Sequence, residues 1–115
     1  MLSTITLFTD CISSFEILLQ ETRLHLSKTK IKLVLKDGSV IFLREIIIKN
    51  ILCDYSYHWQ KADGTLITRW DNTPHFPSIV THPHHKHTGN ETNVLESYEK
   101  NLLQVLTFIK AVIDQ

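Results

Sequence analysis

The sequence predicts one α+β domain over residues 1–115, built from an antiparallel sheet of four or five strands and a C-terminal amphipathic helix on one face. Two Asp-Gly dipeptides, each between strand-like segments, predict the sheet. Apolar residues spaced three and four apart near the C-terminus predict the helix. A chain of 115 residues leaves no room for a second core.

The segment 11–27 fits two kinds of element, and a short N-terminal helix is also compatible with the start of the chain. Phe15, Ile17 and Leu19 alternate as in a strand. Helical spacing is kept by Cys11, Ile12, Phe15, Leu18 and Leu19. Periodicity alone leaves both alternatives open.

The stretch KIKLVLKDGSVIFLREIII, residues 30–48, predicts the first hairpin. Asp37-Gly38 is a typical two-residue turn, because glycine tolerates a positive φ. Closure by two residues would pair Leu35 with Val40 and Leu33 with Phe42 on one buried face. The alternating lysines would form a basic edge that either protects an exposed strand or contacts RNA: Lys28, Lys30, Lys32 and Lys36.

A second hairpin is predicted around Asp63-Gly64. Tight closure would place three cross-strand pairs, Gln60 with Ile67, His58 with Arg69 and Ser56 with Asp71. One face would then carry the packing residues Tyr57, Trp59 and Trp70, and the other the polar residues His58, Arg69 and Asp71.

The C-terminal helix is predicted over residues 94–113, after a long irregular loop over residues 72–93. Asn93 with Glu96, or Ser97, would cap its first turn. Its apolar stripe consists of Leu95, Tyr98, Leu102, Val105, Leu106, Ile109, Val112 and Ile113.

Composition excludes several classes of protein. Lys+Arg and Asp+Glu balance at 12 each, which argues against a nonspecific nucleic-acid binder that relies on net charge. No apolar run approaches the roughly 20 residues of a membrane helix, and the N-terminus lacks signal-peptide features. Cys11 and Cys53 show no metal spacing. We therefore expect a cytoplasmic protein without membrane association and without a cofactor.

Five of the seven histidines lie between Arg69 and His87, where they suggest acid–base chemistry on RNA. Such cleavage without a metal needs a base for the 2′-hydroxyl, an acid for the leaving 5′-oxygen, and cations for the phosphate. Asp71 would orient an imidazole, while Arg69 and Lys86 would hold the phosphate. The candidate catalytic residues are Arg69, Asp71, His75, His84, His85, Lys86 and His87.

Two other interpretations of these histidines stay open. A metal site would use His82, His84, His85 and His87, although Lys86 within that group disfavours a bound cation. Alternatively, Arg69 and Asp71 brace a solvated loop that has no catalytic role. In an extended backbone His85 and His87 would share one face, and His84 and Lys86 the other.

Five short motifs resemble the TumE-type toxins of bacterial and archaeal toxin–antitoxin modules. They are DGS at 37–39, Glu45, YSY at 55–57, RWDNTPH at 69–75 and PHHKH at 83–87, followed by the helix. The likeness spans roughly residues 30–113 and favours a strand for SSFEILLQ. Phe76 departs from it, because relatives often carry a second histidine there.

The resemblance implies a toxin whose partner is a cognate antitoxin. Together with the histidine-rich segment, it leads us to expect action on RNA or on translation, as a metal-independent ribonuclease. The alternative function is a noncatalytic protein-binding module whose loop contacts the antitoxin or another partner. A homodimer is compatible with the sheet edges, but nothing in the sequence requires it.

Overall fold

Seven antiparallel strands form one sheet in the order of the chain, and a single long helix packs on one face. The computed structural model describes residues 1–115. The strands are β1 Ile12–Arg23, β2 Leu26–Leu35, β3 Val40–Ile48, β4 Ile51–Gln60, β5 Leu66–Asp71, β6 His85–Thr88 and β7 Val94–Glu96. The helices are α1 Leu2–Ile5, a 3₁₀ turn Thr6–Phe8, and α2 Leu102–Ile113.

The α+β class, the antiparallel sheet and both helices are confirmed, but the predicted number of four or five strands is wrong. β6 lies inside the segment 72–93 that the sequence indicated as a loop, and β7 lies at the start of the predicted helix 94–113. β6 escaped prediction because its two buried positions carry His85 and His87 rather than apolar residues. Residues 12–23 form a strand, as the resemblance suggested.

The first hairpin closes one residue away from the predicted register. The Leu35 amide donates to Ser39 O at 2.9 Å, and Gly38 has φ 90°, so three residues form the turn. Val34 therefore pairs with Val40, and Leu33 with Ile41. The buried apolar positions on β3 are consequently Ile41 and Leu43, and the exposed Phe42 lies on the opposite face.

The second hairpin matches its prediction at two of three pairs. His58 faces Arg69 and Ser56 faces Asp71. Gln60 pairs with Leu66 rather than Ile67, because an irregularity follows Trp59. The predicted packing face is confirmed by three buried aromatic residues, Tyr57, Trp59 and Trp70.

Helix α2 covers the sheet face that carries these aromatic residues. Asn101 caps α2, since its side chain accepts from the Gln104 amide at 2.9 Å, and the predicted caps Asn93 and Ser97 are wrong. Tyr98 is 63% exposed, so the apolar stripe begins only at Leu102. The core also contains Ile5 and Phe8 from the N-terminus, and α2 contributes Leu102, Val105, Leu106 and Ile109.

Strand β1 forms one outer edge of the sheet, so β2 is an inner strand. The basic edge predicted from the β2 lysines is therefore wrong. Because side chains alternate along a strand, Lys30 and Lys32 lie on the face opposite the buried Ile31 and Leu33. We call this the open face, because α2 packs on the other one. No helix in the structure is long and apolar enough to cross a membrane.

Candidate functional site

The cross-strand register of β5 and β6 brings two polar pairs together on the open face. Asp71 lies opposite His85, and Arg69 lies opposite His87. Trp70, between the two β5 residues, points into the core on the other side. Alternation along two paired strands thus places a guanidinium, a carboxylate and two imidazoles next to one another.

Asp71 is a buried carboxylate held by its neighbours. Its Oδ1 accepts from the backbone amide and the hydroxyl of Thr73, at 3.1 and 2.8 Å. Its Oδ2 lies 3.3 Å from Arg69 Nε. Burial alone would raise the pKa of Asp71, but the Thr73 hydrogen bonds and the charges of His85 and Arg69 together lower it.

The imidazole of His85 is 1% exposed and is anchored through one ring nitrogen. Its Nδ1 lies 3.0 Å from Pro83 O, and a carbonyl can only accept, so Nδ1 carries the proton. Its Nε2 lies 3.0 Å from Asp71 Oδ1. That distance is within ion-pair range, but the two groups are not aligned for a hydrogen bond, so Nε2 has no hydrogen-bond partner.

His87, two residues further along β6, is held in the same way as His85. Its Nδ1 lies 2.8 Å from Glu91 O and must also be the donor. Its Nε2 is buried without a hydrogen-bond partner and lies 3.7 Å from Asp71 Oδ2. Both rings therefore direct their second nitrogen toward the same carboxylate.

We call Asp71, His85 and His87 the imidazole–carboxylate cluster. One potential ligand atom from each residue lies within 4.8 Å of the other two. Two unprotonated Nε2 lone pairs beside a carboxylate would repel one another at low dielectric. A positive charge close to the three groups relieves this repulsion, and Arg69 supplies one at 3.3 Å from Asp71 Oδ2.

Arg69 and Glu91 form the solvent side of the site. The Arg69 guanidinium contacts both Glu91 carboxylate oxygens, at 2.7 and 2.6 Å, while its Nε stays beside Asp71. The Arg69 side chain is 28% exposed and that of Glu91 is 55% exposed. A phosphate near Arg69 would therefore compete with a solvated and weakly held carboxylate.

Phe76 covers the imidazoles from the segment between β5 and β6. Its ring centroid lies 4.8 Å from that of His85 and 5.9 Å from that of His87, both edge to face. Phe76 is itself half-buried, whereas its neighbours His75 and Pro77 are exposed. Phe76 thus covers one side of both imidazoles.

His84 and Lys86 do not join the cluster, because they lie on the α2 side of β6. His84 Nδ1 lies 2.8 Å from the Tyr55 hydroxyl, and burial, with smaller contributions from Lys100 and His85, lowers the pKa of His84. Lys86 Nζ pairs with Glu99 at 3.0 Å and lies over the Phe108 ring. The expected division of faces along β6 is confirmed.

His75 and His82 lie outside the cluster as well. Both are exposed, and neither side chain forms a hydrogen bond or an ion pair. The structure therefore does not assemble the metal set proposed from the sequence, His82, His84, His85 and His87. Of the candidate catalytic residues, it brings together only Arg69, Asp71, His85 and His87.

Three residues that sequence reasoning missed complete the site, namely Thr73, Phe76 and Glu91. Asp71 and Thr73 are two residues apart, a spacing typical of a side chain that hydrogen-bonds the backbone two residues later. This contact could therefore have been predicted from the sequence. Glu91 has no such signal, since its contact with Arg69 depends on the tertiary pairing of β5 and β6.

Two rows of cross-strand neighbours lead over the open face to the cluster. One row runs from Lys32 through Phe42 and His58 to Arg69 and His87. The other runs through Lys30, Arg44, Ser56, Asp71 and His85. We call these the cationic rows, although Asp54 pairs with Arg44 at 2.8 Å and Glu16 of β1 lies opposite Lys32, so that two of the positive charges are offset.

Comparison with models of protein families matches residues 5–113 to the family described as Toxin TumE. The chain belongs to the TumE toxin family. Membership of TumE makes it the toxin component of a toxin–antitoxin system and implies an antitoxin as its partner. No curated protein and no solved structure matches the chain.

Proposed function

We propose that this TumE-family toxin cleaves RNA at the imidazole–carboxylate cluster, with His85 and His87 exchanging the protons. The observation that carries the proposal is the convergence of two buried, unpartnered Nε2 atoms on Asp71, with Arg69 alongside. Neither imidazole needs its Nε2 to hold the fold, because Nδ1 already anchors each ring. Both Nε2 atoms are thus free for proton transfer.

In the proposed reaction one neutral imidazole removes the proton of an RNA 2′-hydroxyl. The 2′-oxygen attacks the adjacent phosphorus, the bond from phosphorus to the 5′-oxygen breaks, and the second imidazole, protonated, gives its proton to that oxygen. Each proton transfer typically contributes about 10²–10⁴ in rate. Arg69 stabilises the negative charge on the phosphate, and Asp71 stabilises the protonated imidazole.

The cationic rows support RNA as the substrate. Lys30, Lys32 and Arg44 follow one another over two inner strands, on a face without a covering helix. Such a track binds a phosphate backbone without sequence preference. Phe42, 37% exposed within the row, and the half-buried His58 offer rings on which unpaired bases can stack.

The burial of the cluster imposes one condition on this mechanism. RNA reaches the Nε2 atoms only when the Phe76 ring moves away from His85 and His87. Phe76 belongs to the irregular segment between β5 and β6, and the residues on either side of it are exposed. A displacement confined to Phe76 and its exposed neighbours leaves the Thr73 and Pro83 contacts in place, so the cluster would open without loss of the sheet.

The experiment is an RNA cleavage assay with untagged protein, single-stranded RNA and tRNA. We expect cleavage by the wild type and by His75→Ala, whose exposed imidazole is the matched control. His87→Ala, purified in parallel and checked for folding by circular dichroism, should lose at least about 100-fold in rate. Intact RNA in the presence of wild-type protein that still arrests growth would refute the proposal.

A noncatalytic binding module is the second candidate, and the burial of the cluster under Phe76 favours it. In that case the imidazoles stabilise the loop that contacts the antitoxin. Calorimetric titration with the antitoxin separates the two functions. A folded His87→Ala variant that binds the antitoxin normally but has lost toxicity supports catalysis, and a parallel loss of affinity and toxicity supports the binding module.

A further inference from the structure

We infer that Asp71, His85 and His87 form a binding site for one divalent transition-metal ion such as Zn²⁺, and that this ion excludes the proton used for RNA cleavage. The site differs from the histidine set that the sequence suggested, because it takes its third ligand from β5. Metal binding itself does not depend on the proposed function. Its effect on cleavage does.

The two imidazoles are oriented as metal ligands usually are. Each donates its Nδ1 proton to a backbone carbonyl, Pro83 O for His85 and Glu91 O for His87. This second hydrogen bond fixes the ring and leaves Nε2 as the donor atom for a metal. Both Nε2 atoms are buried and without a hydrogen-bond partner, which is costly for polar atoms unless something binds them.

The separations suit a small ion. His85 Nε2 lies 3.0 Å from Asp71 Oδ1, and His87 Nε2 lies 3.7 Å from Asp71 Oδ2. One ligand atom from each of the three residues falls within 4.8 Å of the other two. Tetrahedral zinc with bonds of about 2.0–2.1 Å holds its ligands about 3.3 Å apart. Side-chain adjustments of roughly an ångström would close the shell, with water or a phosphate oxygen as fourth ligand.

The hydrogen bonds of Asp71 indicate which oxygen would bind. Oδ1 already accepts from the Thr73 amide and hydroxyl. Oδ2 receives only the longer contact from Arg69 Nε, at 3.3 Å, and so has a free lone pair. The positive charge of Arg69 opposes an ion at this place, but Glu91 carries the compensating charge at the other end of the guanidinium.

The sequence alone argued against a metal ion because Lys86 lies among the histidines. The fold removes this argument. Lys86 stands between the two histidines in the chain, but its ammonium lies on the other side of the sheet, paired with Glu99. A set of two imidazoles and one carboxylate is that of several catalytic zinc sites and of nonhaem iron centres. Zn²⁺, Co²⁺ or Fe²⁺ is therefore favoured over Mg²⁺ or Ca²⁺, which prefer oxygen ligands.

Binding a metal and transferring protons require the same lone pairs. An ion held by both Nε2 atoms leaves neither imidazole free to accept the 2′-hydroxyl proton. Metal-loaded toxin is therefore inactive in the proposed cleavage, and chelation restores it. This part rests on the proposed function.

The test uses untagged, chelator-treated full-length protein and Co²⁺ as a probe with visible absorption. We expect uptake of one Co²⁺ per chain with the absorption of four- or five-coordinate cobalt, and its displacement by Zn²⁺. Asp71→Asn and His87→Gln should weaken binding at least about 100-fold, whereas His82→Ala and His75→Ala should not change it. A small molar excess of Zn²⁺ over protein should also raise the Tm of the wild type.

Three results would overturn the inference. They are absence of the cobalt absorption, absence of a Zn²⁺ effect on wild-type Tm, and uptake that depends on His82 or His75 rather than His87. The wild-type measurements decide even when a variant does not fold. Binding with the expected variant pattern, but without RNA cleavage by metal-free protein, supports the metal site and contradicts the proposed function.

Discussion

Trp70 and Lys86 face each other across strands β5 and β6, and both donate to the same carboxylate oxygen of Glu99, at 3.1 and 3.0 Å. This shared acceptor lies on the α2 side of the sheet. The neighbouring pairs of the same two strands form the imidazole–carboxylate cluster on the open side. Three consecutive residues of β6, His85, Lys86 and His87, thus lie in two different environments.

Replacement of Lys86 should therefore affect stability rather than toxicity. Lys86→Met keeps the apolar stem over Phe108 but leaves the carboxylate of Glu99, 16% exposed, without its cation. We expect the free energy of unfolding to fall by about 1–3 kcal/mol in urea denaturation. The exposed turn variant Lys61→Met is the control. Loss of toxicity with unchanged stability would place Lys86 in the functional site instead.

Charge reversal on the open face should weaken RNA binding. Lys32→Glu changes a residue of the cationic rows, and Lys61→Glu makes the same change of net charge in the turn between β4 and β5. We expect the affinity for single-stranded RNA, measured by fluorescence anisotropy, to fall several-fold for Lys32→Glu only. The salt dependence of binding should become shallower by less than about one unit. Equal effects of both variants would argue against a defined track.

Protonation of His58 should destabilise the fold in mild acid. Burial lowers the pKa of His58 and Arg69 lowers it further, although Glu91 and a hydrogen bond with Gln60 act in the opposite direction. Because the pKa is lower in the folded state, this contribution is present above the unfolded value of about 6.5 and is lost as pH falls through the folded pKa. Between pH 7.5 and 5, urea denaturation should show a smaller loss of stability for His58→Gln than for wild type. Equal slopes would contradict this.

Removal of the Phe76 ring should expose the cluster. Phe76→Ala takes away the edge contacts to both imidazoles while leaving their anchors on Pro83 and Glu91 in place. We expect carbethoxylation of His85 and His87 by diethyl pyrocarbonate, followed by peptide mass spectrometry, to become at least about tenfold faster. The exposed His75 serves as the internal reference. Unchanged protection would mean that another part of the chain covers the cluster.

Two of the three predicted pairs of the second hairpin are right, because turn chemistry and alternation agree there. Asp63-Gly64 fixes the turn, and the aromatic residues of β4 and β5 need the same face. The first hairpin shows the limit. Its Asp37-Gly38 turn takes a third residue, Lys36, and the whole register moves by one, because both two- and three-residue turns accept glycine at positive φ.

Two other features could not be predicted from the sequence, namely strand β6 and the set of residues that share its face at the candidate site. Periodic apolar residues reveal strands that pack a core, but β6 buries imidazoles, whose burial depends on partners in β5. Alternation did separate His85 and His87 from His84 and Lys86. Nothing local to β6 indicates that Asp71 and Arg69 would lie opposite them, or that Phe76 would close over the pair.

The order of strands in the sheet also follows the order of synthesis. Each new strand joins the edge left by the previous one, so the early strands can pair before β6, which completes the cluster, has left the ribosome. A chain that stopped before β6 would carry Arg69 and Asp71 but neither buried imidazole, and its β5 would be left as an unpaired edge. Under the proposed function, only a chain translated through His87 could harm the cell, so truncated products would spare it.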